Sequence, residues 1–323
     1  MQSPEALVVI LGTGGTIAGT ASDTTDHVGY TAGQLGVNQL VAAVPALAGA
    51  SLEAEQVAQL DSKDMDFATW RALALRCSHH LARPEVAGIV VTHGTDTLEE
   101  TAWFLQRVLA PSKPVVLTAA MRPATALSPD GPQNLVDALR VARWAGARGV
   151  VAVLAGRVHA ARDVRKVHPY RVDAFGSGDA GVIGEVEQGA LRLHRPWPDE
   201  GAPLGVDRLP AADAAWPRVE IVTSHAGSDG GIVRAIVAAG VRGIVVAGTG
   251  NGSLHRALEA ALRETRAAGV RVLRTTRCRD GRVVGGGADA WASADDLTPE
   301  KARVDLLLDL LSADAASVRP GSA

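Results

Sequence analysis

The chain has 323 residues, 47% of them hydrophobic and 21% charged, with a formal net charge of −3. That length holds two domains with ordinary cores, and the composition excludes a disordered or fibrous chain. The charge gives no electrostatic case for nucleic acid or an anionic membrane, and every apolar run is far shorter than a bilayer span.

In chain order, a strand is expected over Ala6–Leu11, running into the glycine turn LGTGGTIAG at 11–19 with hydroxyls at Thr13 and Thr16. A helix is expected near Thr31–Val44, then a short strand over Gln56–Leu60 and a helix over Met65–Leu81. Phe67, Trp70, Ala74, Cys77 and Leu81 share the apolar face of that helix, so Cys77 reads as a buried free thiol. Gly88–Val91 has the short, wholly apolar pattern of a buried parallel strand. The helix near Thr97–Leu109 opens with Glu99 and Glu100, where the helix dipole favours acids. Strands over Pro114–Thr118 and Gly149–Leu154 flank a helix over Gln133–Ala145, and the glycine-rich stretch Asp173–Gln188 reads as a hairpin-like extension. Further strands are expected at Val219–Thr223, Gly243–Ala247 and Val270–Leu273, and helices at Gly230–Ala239, Ser253–Ala267 and Pro299–Leu311. This order predicts an α/β fold of two domains, each a mainly parallel sheet flanked by helices, the N-terminal one larger. Residues 194–217 carry five prolines and no periodic apolar pattern, which suits a linker between domains at 1–193 and 218–323.

Two strand tips hold the residues with chemistry. Thr95 and Asp96, within THGTDTLEETA at 92–102, fall in the crevice above the carboxyl end of a strand, where open α/β sheets bind ligands. Thr16 stands above a Gly-Gly turn that exposes its hydroxyl and presents backbone N–H groups beside it, as acyl transfer needs. The same turn can be read as a helix-capping turn, and it fits neither the GxGxxG nor the P-loop pattern. A threonine hydroxyl needs a base, and a partly buried lysine can lose its proton where arginine cannot. Of 32 basic residues only Lys63, Lys113, Lys166 and Lys301 are lysine. Lys166 lies at another strand tip, although alone it would read as a surface charge.

TGGTIAG together with HGTDTLEETA resembles the bacterial L-asparaginase/glutaminase family of threonine amidohydrolases, over most of the chain. The resemblance implies Thr16 as nucleophile. It implies Thr95, Asp96 and Lys166 as a Thr–Asp–Lys triad, with Asp96 also holding the substrate's α-ammonium. The match at Lys166 rests on RDVRK at 162–166 and on the pair Ala174-Phe175. The resemblance further implies that Tyr30 closes over Thr16 on a mobile loop (19–29) and that Ser62 binds the substrate's α-carboxylate. By the same resemblance, Asn251 of GTGNGS (248–253) reaches the site of a neighbouring subunit. Lys63 stands where the family most often has glutamine; it either pairs the α-carboxylate or points into solvent. The stretch 278–297 lacks the glutamate that the family often supplies to the neighbour's pocket, with Asp280 and Asp289 as the substitutes to weigh.

His93 invites a general-base assignment, but the family uses no histidine base, and a strand-tip histidine more often supports a turn. His79, His80 and His159 lack partners at ligand spacing and the two cysteines make no cluster, so no metal is expected, and the resemblance implies no cofactor. The implied function is hydrolysis of L-asparagine to L-aspartate and ammonia through a threonine-linked acyl-enzyme. The implied partner is a small amino-acid amide, and the implied assembly is a homo-oligomer (dimer or dimer-of-dimers tetramer) with shared sites. Which threonine attacks first is open at this stage. A dual glutaminase–asparaginase, an ammonia-supplying amidotransferase subunit and a non-catalytic amino-acid-binding protein are the alternatives. No charged-then-apolar leader opens the chain, so a cytoplasmic location is expected. The first strand also follows Met1 closely, which counts against the amidotransferase subunit.

Overall fold

Leu7–Gly14 (β1) is apolar at successive positions, and Val8, Val9, Ile10 and Leu11 are all fully buried, which requires a strand covered on both faces. In the computed structural model of the chain, residues 6–199, 201–285 and 291–317 are described. They fall into two units, Met1–Val206 and Asp207–Ala323.

In the first unit β1 lies between two parallel neighbours, β2 (Leu52–Leu60) and β3 (Val86–Thr92). Beyond β3 come β4 (Val115–Thr118) and β5 (Val150–Leu154), also parallel. The chain then turns antiparallel through β6 (Arg157–Ala160), makes a small separate ladder of β7 (Arg165–Lys166) with β8 (Phe175–Gly176), and ends in β9 (Gly184–Glu187) and β10 (Ala190–Leu193). The eight-stranded order is β10-β9-β6-β5-β4-β3-β1-β2. The chain therefore moves outward from β1 to β2 and returns to β3 on the other side. The strand order reverses at the β1/β3 junction, which opens a crevice at the carboxyl ends of those strands.

Helices α1 (Val37–Ala42), α2 (Phe67–Leu81), α3 (Leu98–Leu109) and α4 (Gly131–Ala142) connect the parallel strands. Val8, Ile10, Val90 and Val116 pack with Val37 of α1 and Leu135 and Leu139 of α4. The alternate residues Val9, Leu11, Ile89 and Val91 are equally buried and, by the two-residue strand period, point to the other face. Helices α2 and α3 are joined by Trp70 and Phe104, whose rings stack at 4.6 Å, and by a 2.9 Å hydrogen bond from Trp70 Nε1 to Thr101 Oγ1. This packing fixes α3, whose N-terminus carries half of the site.

The second unit is a parallel sheet of β11 (Val219–Thr223), β12 (Gly243–Gly248), β13 (Arg271–Thr276) and β14 (Ala292–Ser293). Its helices are α5 (Gly231–Ala238), α6 (Arg256–Ala267) and α7 (Pro299–Ser317). Val222, Val233, Ile244, Val246, Leu258 and Leu262 form its core with Trp291.

Three expectations are corrected. The helix near Thr31–Val44 is confined to Val37–Ala42, because Thr31 and Thr20 exchange both backbone hydrogen bonds and Gly33 adopts φ 65°. The hairpin expected over Asp173–Gln188 is displaced: Phe175–Gly176 pairs with Arg165–Lys166, and the hairpin runs from Gly184 to Leu193. Its turn is Gln188-Gly189, both at positive φ, as a two-residue hairpin requires. The helix expected from Ser253 begins at Arg256, since Ser253 and Thr249 exchange backbone hydrogen bonds and His255 becomes the cap. Within 194–217, Arg195 pairs with Asp163, and Leu204 and Gly205 donate backbone hydrogen bonds to the end of α3, so this part adheres to the first unit.

Candidate active site

The tip of β1 can approach its neighbours only because it ends in glycine. Gly14 (φ 103°) and Gly15 (φ 80°) occupy conformations that side chains resist. A Cβ on Gly14 would strike the backbone of Leu60, and one on Gly15 would strike the backbone of Gly94. Gly15 N–H donates to Leu60 O at 2.9 Å, and Thr13 Oγ1 donates across to Thr92 O at 3.0 Å. Thr16 follows Gly15 and opens a single 3-10 turn. Thr95 follows Gly94. The touching glycines thus bring the two threonine-bearing segments together over the crevice.

Ser62 ties in the third tip, after β2. Its Oγ accepts the Asp96 N–H at 3.1 Å and its carbonyl accepts from Thr97 Oγ1 at 2.8 Å. Accepting uses a lone pair, so the serine hydroxyl keeps its own O–H as a donor. Lys166 arrives on β7. Its Nζ donates to Thr95 Oγ1 at 2.9 Å and to Asp96 Oδ1 at 2.6 Å. The Lys166 side chain is one-fifth exposed, whereas that of Asp96 is half exposed, so one face of the carboxylate is open to an incoming cation.

Tyr30 meets Thr16, with 2.5 Å between the two hydroxyl oxygens. Burial pushes the Tyr30 phenol above its ordinary value, and the carboxylates of Asp61 and Asp96 act in the same direction. The phenol is therefore protonated at neutral pH. The segment before it is held at several points: Ala21 N–H donates to Thr125 Oγ1 (2.9 Å), Leu127 N–H to Thr24 O (3.1 Å) and Ala124 N–H to Gly19 O (2.9 Å). Thr125 and Leu127 were not singled out from the sequence. They lie in MRPATALSPD, which has no periodic pattern to announce a role.

His93 is fully buried, and its ring donates from Nδ1 to Gly94 O at 2.7 Å. Nε2 has no hydrogen-bond partner among the described residues. Burial pushes its pKa down to about 4, so the imidazole is neutral and supports the turn. The unfolded chain binds a proton here below about pH 6.5 that the folded chain refuses until about pH 4. This contribution to stability is thus present above pH 6.5 and lost as pH falls through that window, by about 3 kcal/mol. His93→Gln is expected to flatten the fall in urea midpoint between those pH values; an unchanged slope contradicts the assignment.

Lys63 is exposed and pairs with Asp61 at 2.6 Å and Asp64 at 3.4 Å. In the second unit, Asn251 exchanges two hydrogen bonds with the Val284 backbone, Nδ2 to Val284 O and Val284 N to Oδ1, each 2.7 Å. Asp280 is exposed, and Asp289 lies outside the described residues. Among the described residues no group of three His, Cys, Asp or Glu side chains is placed to hold a metal. Cys77 is fully buried. One partner not foreseen is Glu99, whose Oε2 accepts the Lys166 backbone N–H at 2.6 Å. The sequence offered it only as an acid in a helix's first turn.

The family pattern described as Asparaginase, N-terminal matches residues 7–199, and that described as Glutaminase/Asparaginase C-terminal domain matches 218–317. The chain belongs to the asparaginase family. It is 39% identical over 313 residues to L-asparaginase 2 of Bacillus subtilis, covering 93% of this chain and 81% of that protein. It is 36% identical over 310 residues to the glutaminase-asparaginase of Pseudomonas fluorescens biotype A, covering 93% and 84%. The crystal structure of a probable cytoplasmic L-asparaginase from Campylobacter jejuni superposes with a TM-score of 0.89 at 38% identity, over 94% of this chain and 95% of that one. The asparaginase-family fold read from the sequence, two α/β units with mainly parallel sheets and the larger one first, is the fold observed.

Proposed function

We propose that this protein is an L-asparaginase, hydrolysing L-asparagine to L-aspartate and ammonia. The observation that carries the reading is the pair of threonine hydroxyls over one crevice, each with its own proton partner: Tyr30 for Thr16, Lys166 with Asp96 for Thr95. Thr95 Oγ1 accepts an N–H from Lys166, which occupies a lone pair and weakens it as a nucleophile. Thr16 Oγ1 can donate to Tyr30 instead, which leaves its lone pairs free, and it takes the attacking role. Its Oγ1 adds to the side-chain amide carbon while its proton passes to Tyr30 Oη, whose own hydrogen moves on to the amide nitrogen. The C–N bond breaks, ammonia departs, and the acyl group remains on Thr16 as an ester. Water then attacks the ester, one of its protons moving to Thr95 Oγ1 as that hydroxyl's own proton passes to Lys166 Nζ in its neutral form; the bond to Thr16 Oγ1 breaks, the new carboxyl group gives its proton to Thr16 through Tyr30, and aspartate leaves.

In this reading Asp96 receives the substrate's α-ammonium on its exposed face, and Ser62 donates its O–H to the α-carboxylate. Lys63 is paired with Asp61 and Asp64, so it meets that carboxylate only by exchanging one of these acids for it. Ammonia release from purified protein, with L-asparagine and L-glutamine offered separately, tests the assignment. Release from asparagine alone supports it, and silence on both amides overturns it. Comparable release from both moves the assignment to a glutaminase–asparaginase, the name borne by the Pseudomonas fluorescens relative.

The assembly proposed is a homo-oligomer, a dimer or a dimer-of-dimers tetramer, in which Asn251 completes a neighbour's site. Asn251→Ala is expected to lower activity, and mixing it with Thr16→Ala subunits is expected to restore a fraction of the sites. Mixed oligomers with no recovery would contradict sharing. The cytoplasm is proposed as its location, by analogy with the Campylobacter protein, and 194–217 as the connection between domains at 1–193 and 218–323.

A further inference from the structure

We infer that Glu99 is a positioning residue for Lys166: its carboxylate holds the backbone of the strand that carries the lysine and so sets where Nζ can reach. The inference rests on the reading of Lys166 as part of the proton-handling group.

Lys166 stands on a strand of only two residues. One side of β7 is secured by its ladder with β8 and by the Val167 N–H, which donates to Ala174 O at 2.8 Å. The Lys166 N–H does not join that ladder. It donates instead to Glu99 Oε2, at a separation of 2.6 Å that is short even for a charge-assisted bond. Glu99 is the second residue of α3, and the loop leading into α3 supplies Thr95 and Asp96. The start of α3 and the loop leading into it therefore carry both acceptors of Nζ and the anchor of its backbone. Lys166 is held at both ends, at its N–H by Glu99 and at Nζ by Thr95 and Asp96.

The geometry explains why this clamp matters to rate. A lysine side chain has four rotatable bonds, and a two-residue strand fixes its starting point poorly. A shift of about 1 Å at the backbone moves Nζ out of line with Thr95, and misplacement of that size can cost up to about a hundredfold. Glu99 removes that freedom without touching the substrate. A merely structural acid at this position would act through the helix dipole instead.

Glu99→Asp separates the two roles. Aspartate is equally suited to a helix's first turn and keeps the charge, but it is one methylene too short to reach Lys166 N–H. Glu99→Gln keeps the reach and an acceptor oxygen while losing the charge. In the full chain, kcat for asparagine is expected to fall about tenfold or more in Glu99→Asp, with KM within about threefold and an unchanged unfolding midpoint. Glu99→Gln is expected to recover most of that loss. A crystal structure of Glu99→Asp is expected to show Nζ beyond hydrogen-bonding distance of Thr95. Wild-type kcat in Glu99→Asp, or a Glu99→Gln variant as impaired as Glu99→Asp, overturns the inference. A wild type silent on both amides overturns the functional reading instead. Glu99 is then judged by the Glu99→Asp structure alone, where an unmoved Lys166 overturns its role.

Discussion

Thr16→Ala is expected to reduce asparagine hydrolysis by at least about a hundredfold, as loss of a nucleophile does in enzymes whose catalytic groups act as a unit. The loss is expected in kcat, with the fold and the oligomer intact. The reason is local. Thr16 is buried but projects only a small side chain, and its hydrogen bond is to Tyr30. Removing the hydroxyl deletes the attacking oxygen and leaves the glycine turn and its contacts with Leu60 and Gly94 in place. Ammonia release at saturating asparagine, with size-exclusion chromatography as the control for assembly, checks this. Residual activity above a few per cent removes Thr16 from the mechanism.

Lys166→Arg is expected to be nearly as damaging as Lys166→Met. Arginine keeps the positive charge and can still pair with Asp96, but it does not surrender a proton at any working pH. If Lys166 served only as a fixed charge, the arginine variant would keep much of its rate while the methionine variant lost it. Comparing kcat of the two variants therefore separates proton transfer from electrostatic support. Rates near wild type in Lys166→Arg refute the proton-accepting role.

Much of the first unit was legible from the sequence because its central strands are buried on both faces. A strand such as Gly88–Val91 must then be apolar at every position, a pattern that survives without tertiary information. The segment before α1 was not legible. Its apolar residues recur at helical spacing, yet Thr31 pairs with Thr20 across the intervening loop and Gly36, not Thr31, precedes the helix. The hairpin near Asp173 was misplaced for a similar reason: Phe175 finds its partner at Lys166, and nothing in the glycine-rich stretch itself names that partner.

At the site, the residue types were readable and their contacts were not. Thr16 and Thr95 announce themselves by their glycine-flanked turns. That the two turns touch depends on the missing Cβ of Gly15 lying against Gly94, a fact of strand order. Glu99 is a reasonable helix-start acid on any reading; only the approach of β7 turns it toward Lys166. The engagement of Asn251 with Val284 spans 33 residues and leaves no local trace. Lys63 was the reverse case, since both its partners are near neighbours in the chain and its pairing with them follows from proximity.

The most direct test is to identify the acylated residue. Enzyme mixed with L-asparagine, quenched in acid within the first turnover and mapped by peptide mass spectrometry, is predicted to carry an aspartyl ester on Thr16, with ammonia released in equal amount. An ester on Thr95 or any other residue, or a stoichiometric burst of ammonia from an unmodified chain, would contradict the account.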